Sequence, residues 1–207
     1  MLWYNVHMNT REDQLKKIHN KWLEKCTCTL RATATQGVPG DGNPNAQIVF
    51  IGEAPGAQED KGGKPFVGAA GKFLNELLES IKMRREDIYI TNIVKYRPPN
   101  NRDPLPEEIA ACKEWLEEEI DFIQPALIVF LGRHAMNQFF PELKISDAHG
   151  KVITAKKFAK CHYFLPLYHP AAALYNGSLR DVLKDDFKKI PLALKMIATK
   201  NKCEPLI

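Results

Sequence analysis

Short apolar runs alternate along this chain with stretches of helical apolar spacing, and that alternation constrains the fold more than any other feature. Phe73 to Ile81 and Pro106 to Ile120 have the helical spacing. Strands that alternate with helices predict a mostly parallel sheet with helices on both faces. We therefore expect an α/β fold of three layers, α/β/α, around a short four-stranded sheet. The predicted strands are Gln47–Ile51, Ile88–Val94, Ala126–Leu131 and Tyr163–Leu167.

The 207 residues suit one domain of this kind, and they contain no repeat or low-complexity linker. Thr10 and Asp13 have the spacing of a capping box, which predicts a helix that continues to about Glu24. We expect a single domain over 1–207, with a helical extension over about 1–35. A last helix is predicted from about Leu179 to Ile197.

Composition excludes several classes of protein. The apolar runs are too short to cross a membrane, and the first residues do not have the basic and apolar order of a secretory signal. These features predict a cytoplasmic protein without a membrane partner. The net charge of +4 is compatible with a polyanionic partner. An odd number of cysteines favours reduced thiols or metal ligands over a disulfide framework; they are Cys26, Cys28, Cys112, Cys161 and Cys203.

Ligands of open parallel sheets bind beyond the carboxyl ends of the strands. Three loops that are rich in glycine, proline and asparagine follow predicted strands there: Gly52–Gly56, Asn92–Asn101 and His169–Gly177. A phosphate-binding P-loop is excluded, although Gly71 and Lys72 resemble part of one. Phe66 stands where that motif needs glycine, and Phe73 where it needs serine or threonine.

Three segments resemble the motifs of the family-four uracil-DNA glycosylases. They are GEAPGAQEDKGGKPFVGAAGKFL from Gly52, YITNIVKYRPPNNRDPLPEEIAAC from Tyr89 and LYHPAAALYNGSLR from Leu167. The resemblance extends from about Cys26 to Phe187. It implies the α/β/α fold and an enzyme that initiates base excision repair. Such an enzyme flips uracil out of single- or double-stranded DNA, hydrolyses its N-glycosidic bond and releases free uracil. The protein is expected to work as a monomer, in the cytoplasm and associated with the nucleoid through DNA.

The resemblance assigns the base-binding side chains. It implies that Phe66 stacks on uracil and that Asn92 recognises the base edge. An amide oxygen accepts from uracil N3–H while the amide nitrogen donates to O4, and cytosine presents the opposite pattern. His169 is expected to face uracil O2 and to stabilise negative charge on the departing base. From the sequence, its imidazole could be neutral or charged.

The resemblance also places the first motif around the reacting bond. Glu53 is expected near the attacking water, as a general base or as a group that orients the water. The backbone N–H groups of Glu53 and Ala54 are expected to help orient that water. Gly52 and Ala54 are expected to contact uracil. Glu59 aligns with a pocket glutamate near uracil C5, where its side chain would exclude thymine.

A cluster of basic residues flanks the three loops and is expected to contact phosphates. Leu174 and Tyr175 follow the last motif and are candidates for the wedge that fills the space left by a flipped base. The predicted phosphate contacts are Lys64, Lys72, Lys95, Arg97, Arg102 and Arg180.

The chain departs from the family at the iron–sulfur site. Many members hold a four-iron cluster through a C-x-x-C pair and two later cysteines. Here Cys26 and Cys28 form a C-x-C pair, Tyr96 stands at the third ligand position, and Cys112 fits the fourth. Iron–sulfur clusters require thiolates, so we predict that the cluster is lost and that no metal is bound. If a cluster is present, Cys26, Cys28 and Cys112 hold it.

Two alternative functions belong to other classes. One is a protein that binds uracil-containing DNA without turnover or traps it covalently. A trapping branch of the superfamily has an inserted basic loop with a histidine, and that insertion is absent between Tyr96 and Pro106. The other is a nucleotide-binding scaffold or polymerase accessory domain.

Overall fold

The computed structural model describes residues 10–158 and 163–203, with side chains to residue 200. Residues 1–9 of the predicted extension and the side chains of Cys161 and Cys203 lie outside it. In the described part a six-stranded sheet has the order β1-β3-β2-β4-β6-β5. Its strands are β1 (Asp41–Gly42), β2 (Ile48–Gly52), β3 (Tyr89–Asn92), β4 (Leu127–Leu131), β5 (Ile153–Thr154) and β6 (Tyr163–Leu167).

The four central strands are parallel, as predicted, and the two edge strands are antiparallel to their neighbours. The expected number of four strands was therefore wrong. Each edge strand has two residues and arises from pairing with the adjacent strand. Neither has an apolar run of strand length that a sequence pattern would identify.

Helices cover both faces of the sheet, so the three layers are confirmed. Along β2, Ile48 and Phe50 pack in one core and Val49 and Ile51 in the other, because successive side chains of a strand point to opposite faces. Burial on both faces explains why the strand is apolar throughout. The helices are α1 (Arg11–Lys25), α2 (Ala57–Gly62), α3 (Ala69–Ser80), α4 (Pro106–Ile123), α5 (Arg133–Asn137), α6 (Ile145–Ala148), α7 (Ala172–Tyr175), α8 (Ser178–Phe187) and α9 (Lys189–Cys203).

The predicted helix starts are confirmed at α1 and α4. Thr10 and Asp13 form the capping box of α1, and Pro106 is the first residue of α4. The last helix, predicted as continuous, is divided at Lys188 into α8 and α9. Pro191 lies in the first turn of α9, where it has no N–H to donate to the preceding turn. No helix in the described ranges is long and apolar enough to cross a membrane.

Candidate active site

The three predicted loops meet at the carboxyl edge of the sheet, around a cavity of about 440 Å³. Parallel β2, β3 and β6 all end at this edge, so the residues that follow them are brought together. The cavity is lined by Glu53, Ala54, Pro55, Gly56, Glu59, Phe66, Ala70, Asn92, Pro98, Asn101, Arg102, Asp103, His169, Ala171 and Tyr175.

Asn92 ends β3 and lies opposite Gly52 of β2 in the strand register. Its side chain is buried, and no described residue makes a hydrogen bond with its Oδ1 atom. A Cβ atom on Gly52 would lie 2.5 Å from that oxygen and 2.7 Å from the Phe66 ring. Glycine at 52 therefore leaves open the space in which Asn92 and Phe66 face the cavity. An unpartnered buried acceptor is costly unless a ligand completes it.

Phe66 presents its ring to the cavity from an unusual backbone conformation, with φ of 53°. The side chain of Arg85 donates from Nη1 to the Phe66 carbonyl oxygen at 3.0 Å. A Cβ atom on Gly71 would lie 1.8 Å from the same oxygen, so α3 can approach this loop only with glycine there. The Phe66 ring lies 5.5 Å from the His169 ring, measured between centroids. These contacts fix the ring as one wall of the cavity.

Glu59 holds the loop that carries Phe66. Its Oε1 accepts from the backbone N–H groups of Val67 at 2.8 Å and Gly68 at 2.7 Å. Its Oε2 accepts from the Gly56 N–H at 3.1 Å. Both carboxylate oxygens are thus engaged with backbone amides, although the residue also lines the cavity. The geometry assigns Glu59 a positioning role, and exclusion of a methyl group near C5 stays a prediction.

His169 follows β6, and the hydrogen bonds of its ring define its tautomer. The Ala171 N–H donates to His169 Nδ1 at 3.1 Å, so Nδ1 carries no proton in this arrangement. Burial lowers the pKa of His169 to about 4, which makes the imidazole neutral near pH 7. A neutral ring with an unprotonated Nδ1 carries its hydrogen on Nε2. The structure thus favours the neutral form, which the sequence left open.

Glu53 also lines the cavity and comes directly after β2. Burial raises the pKa of this carboxyl, and the negative charge of Asp103 raises it further. His134 opposes the shift, with Nε2 at 4.0 Å from Glu53 Oε2. The carboxyl is 26% exposed, so water reaches it.

Comparisons with known proteins place this chain in a family. A family model described as the uracil DNA glycosylase superfamily matches residues 39–193. The chain belongs to this superfamily. A type-4 uracil-DNA glycosylase of Archaeoglobus fulgidus is 52% identical over 168 residues, which are 79% of this chain and 84% of the relative. A protein of the same name from Sulfurisphaera tokodaii is 47% identical, over 86% and 84% of the two chains.

A third relative covers nearly the whole of both chains. The type-4 uracil-DNA glycosylase of Thermotoga maritima is 44% identical, over 91% of this chain and 98% of its own length. Together the three relatives confirm the resemblance to the type-4 family, to which the chain belongs.

The prediction that Lys95 contacts a DNA phosphate was wrong. Lys95 is fully buried, and its Nζ atom lies 2.7 Å from Glu119 Oε2 and 2.6 Å from Thr91 Oγ1. The ion pair joins residues 24 positions apart, so the local sequence gave no sign of it. The buried Lys95 ammonium therefore joins Thr91 of β3 to Glu119 of α4 and cannot reach DNA.

Several of the other predicted DNA contacts are held in interactions within the protein. Arg97 donates to Asn101 at 2.8 Å, and Arg102 pairs with Glu108. Lys64 lies 3.3 Å from Asp41, with 63% of its side chain exposed. Arg180 lies over the Phe73 ring at 4.1 Å. The remaining three are exposed: Lys72, Leu174 and Tyr175.

A second cluster, the thiol–aromatic cluster, lies beside α1 and α4. It contains Trp22, Cys26, Cys28, Tyr96, Cys112 and Trp115, all buried. The Trp22 and Tyr96 rings meet edge to face, with centroids 5.8 Å apart. The Sγ atoms of Cys26 and Cys28 donate to backbone carbonyls of α4, each at 3.7 Å.

This donor set does not fit a cluster of four iron atoms held by four thiolates. Three cysteines and a tyrosine converge, and Tyr96 Oη has no hydrogen-bond partner among the described residues. Hydrogen bonds with Cys26 and Cys28 raise the pKa of the Cys112 thiol and keep it protonated, and the same hydrogen bonds lower the pKa of Cys28 and lower that of Cys26 to about 6. Aromatic packing and thiol hydrogen bonds therefore occupy the region that the family gives to a metal.

Sequence reasoning did not identify four residues that shape the cavity. Arg85 and Ala171 hold Phe66 and His169, while Asp103 and His134 face Glu53. Asp103 and Ala171 lie within the segments that resemble the family motifs. His134 has no distinguishing signal in the sequence, because it is one histidine in a short helix after β4. A contact between different loops at the sheet edge cannot be seen in the spacing of either segment.

Proposed function

We propose that this chain is a monofunctional uracil-DNA glycosylase that initiates base excision repair. The observation that carries the proposal is the unpartnered, buried Oδ1 acceptor of Asn92, in a cavity that Phe66 and Glu53 also line. Uracil in its pairing form supplies a donor at N3 for that acceptor. Membership of the type-4 family and relatives named for this activity support the same conclusion.

Base recognition follows from three side chains. The flipped uracil stacks on Phe66, while Asn92 accepts from N3–H through Oδ1 and donates to O4 through Nδ2. Cytosine has an acceptor at N3 and a donor at N4, so both hydrogen bonds would be lost. Glu59 fixes the Phe66 loop through three backbone amides and so sets the width of the slot.

The bond that breaks joins uracil N1 to C1′ of the deoxyribose. Its electron pair leaves with the base, which develops negative charge that reaches O2. The Nε2–H of neutral His169 donates to O2 and stabilises that charge. A preorganised donor of this kind contributes about 3–4 kcal/mol to the transition state. A neutral donor transfers no proton in this step, so uracil leaves as an anion.

Water completes the reaction at C1′, and Glu53 orients it. The sugar becomes positively charged as the base departs, so the water needs position more than deprotonation. The ionised carboxylate of Glu53 accepts a hydrogen bond from the water and stabilises the positive sugar. The backbone N–H groups of Glu53 and Ala54 lie on the same loop and complete the site. After the water oxygen bonds to C1′, its proton passes to the carboxylate or to solvent.

DNA binds around the cavity mouth. Lys64, Lys72, Arg97, Arg102 and Arg180 contact phosphates, which positions either single- or double-stranded DNA without specifying sequence. The wedge comprises Leu174 and Tyr175, the latter 92% exposed beside the cavity. An exposed aromatic side chain there can occupy the space that the flipped base leaves.

The rest of the assignment is coarser. We propose one glycosylase domain over 1–207 with a helical extension over about 1–35, working as a monomer in the cytoplasm and on the nucleoid. It works without an iron–sulfur cluster, since Tyr96 replaces a thiolate ligand. The products are free uracil and DNA with an abasic site.

Release of uracil from a labelled oligonucleotide tests the proposal. Purified protein is expected to release free uracil from single strands and from U·G and U·A duplexes, leaving an alkali-labile abasic site. The control oligonucleotide has cytosine at the same position and is expected to stay intact. Binding of uracil-containing DNA without release, or a covalent adduct that survives denaturation, would overturn the proposal in favour of a binding or trapping protein.

A further inference from the structure

His134 lies between two carboxylates at the edge of the cavity. Its Nε2 atom is 3.2 Å from Asp103 Oδ2 and 4.0 Å from Glu53 Oε2. The histidine is at the start of α5, after β4, and Asp103 is in the loop before α4. The segments after β2, before α4 and after β4 are distant in sequence, and the contacts of His134 with Glu53 and Asp103 bring them together beside the proposed water site. His134 is 28% exposed, so its ring can exchange protons with solvent.

The contacts of His134 Nε2 belong to two protonation states. Arg133 Nε lies 3.0 Å from this atom and can donate to it only when Nε2 carries no proton. Nε2 can donate to Asp103 only when it carries one. Protonation thus exchanges the arginine contact for the aspartate contact. It also places a positive charge between the carboxylates of Asp103 and Glu53.

We propose that His134, anchored by Asp103, is a positioning residue that keeps Glu53 ionised and directed at the attacking water. The inference deepens the proposed function and rests on it. His134 is outside the cavity lining and acts through Glu53, so it is expected to affect water attack and not base recognition. Asp103 orients the protonated His134 ring. Without that ring, the negative charge of Asp103 beside Glu53 would oppose the ionisation of Glu53.

The charges around Glu53 agree with this role. Burial raises the pKa of Glu53, and His134 is the largest influence that lowers it. Asp103 raises that pKa, while Arg133 lowers it by a smaller effect than His134. Burial is the main cause that lowers the pKa of His169, and His134 lowers it further, which favours the neutral form of that ring. Activity requires ionised Glu53, so the rate falls as the pH drops through the pKa of that group.

The test is the pH profile of single-turnover uracil release at saturating enzyme, for the wild type and His134→Gln. Loss of the positive charge is expected to raise the pKa of Glu53 and to move the acid limb of the profile to higher pH. For unit charges about 4 Å apart, screening as strong as in bulk water gives a displacement of about 0.7 pH unit, and weaker screening near a protein surface gives up to about 3 pH units. His134→Lys restores a positive charge and is expected to return the limb toward its wild-type position.

Arg133→Gln is the matched control, because it removes a positive charge on the neighbouring residue of the same helix that also faces Asp103, at 3.6 Å. Its limb is expected to move by less than that of His134→Gln. Equal displacement in the two variants, or an unmoved limb in His134→Gln, would overturn the proposal while uracil release by the wild type still stands. Absence of release by the wild type at every pH would instead refute the proposed function. Thermal melting of each variant separates a change in the profile from partial unfolding.

Discussion

The uracil pocket and the thiol–aromatic cluster share one segment of chain, yet they preserve the family pattern to very different degrees. Asn92 ends β3 in the pocket, and Tyr96 follows four residues later in the cluster. The pocket has the residues that the resemblance implies at all three motifs. In the cluster, Tyr96 stands where the resemblance implies a thiolate, and Cys26 and Cys28 are one residue closer than a C-x-x-C pair.

The difference follows from what each region has to do. The pocket must present a particular acceptor and a particular donor to a base whose polar atoms are fixed, so Asn92 and His169 have few substitutes. The cluster has to hold α1 against α4 and the segment after β3. Buried aromatic rings supply such cohesion as effectively as a metal, provided that they fill the space. Trp22 and Tyr96 do so here.

The largest effect is expected from His169→Ala. It removes the Nε2–H donor to uracil O2, and the chemical step should slow by ~100-fold or more while DNA binding stays nearly intact. Single-turnover kinetics and a separate binding titration measure the two quantities. Lys72→Ala should show the reverse pattern, with weaker binding and an unchanged chemical step. A loss in His169→Ala confined to binding would make His169 a DNA contact.

Asn92→Asp tests the base-recognition half of the pocket. The carboxylate keeps an acceptor for N3–H but loses the donor to O4, which should lower uracil excision by about 10- to 100-fold. Cytosine, whose N4 amino group donates, is expected to become a weak substrate. Paired excision assays on uracil and cytosine oligonucleotides measure both rates, with Asn92→Ala as the variant that loses acceptor and donor together. Full uracil activity in Asn92→Asp would remove the residue from base recognition.

These two residues also show how far sequence reasoning reached. Asn92 was identifiable because it ends an otherwise apolar strand, whereas the role of His169 came from the family resemblance of its motif. The sheet topology then places both residues at one edge. Lys95 was assigned wrongly because its partner Glu119 lies on another element. Edge strands of two residues and the contact of His134 with Asp103 also depend on distant pairing. The local sequence pattern determines the helices and strands, whereas the contacts between these elements determine which charged side chains are buried.

A smaller effect is expected from Glu59→Gln, which tests whether the pocket depends on a held loop. An amide can accept from Val67 and Gly68 through its oxygen, but its nitrogen then faces the Gly56 N–H, and two donors oppose each other. Misplacement of Phe66 should reduce uracil release by about tenfold, in line with about 1–3 kcal/mol for one unsatisfied buried group.

The Glu59 variants also separate the two roles of this residue. If Glu59 excludes the methyl group at C5 as well, Glu59→Ala should raise thymine release from duplex DNA above its very low base. Unchanged selectivity in Glu59→Ala, together with slower uracil release, would confine Glu59 to holding the loop.

The smallest effects are expected in the thiol–aromatic cluster, from Cys26→Ser and Cys28→Ser. Each serine hydroxyl can donate to the α4 carbonyl that the thiol contacts now. Chemical denaturation should therefore show a loss of under about 1 kcal/mol per variant, far below the cost of removing a structural metal ligand.

Trp22→Ala is the contrasting variant within the same cluster. Deleting this fully buried ring should reduce the free energy of unfolding by about 3–5 kcal/mol, because the cavity left behind cannot close completely. The purified protein should also be colourless and free of stoichiometric iron. A brown protein with about four irons per chain, destabilised strongly by either serine variant, would show that thiolates and metal hold this region. If instead the tryptophan matters and the cysteines do not, aromatic packing holds α1 to α4 and the thiols are ordinary buried side chains.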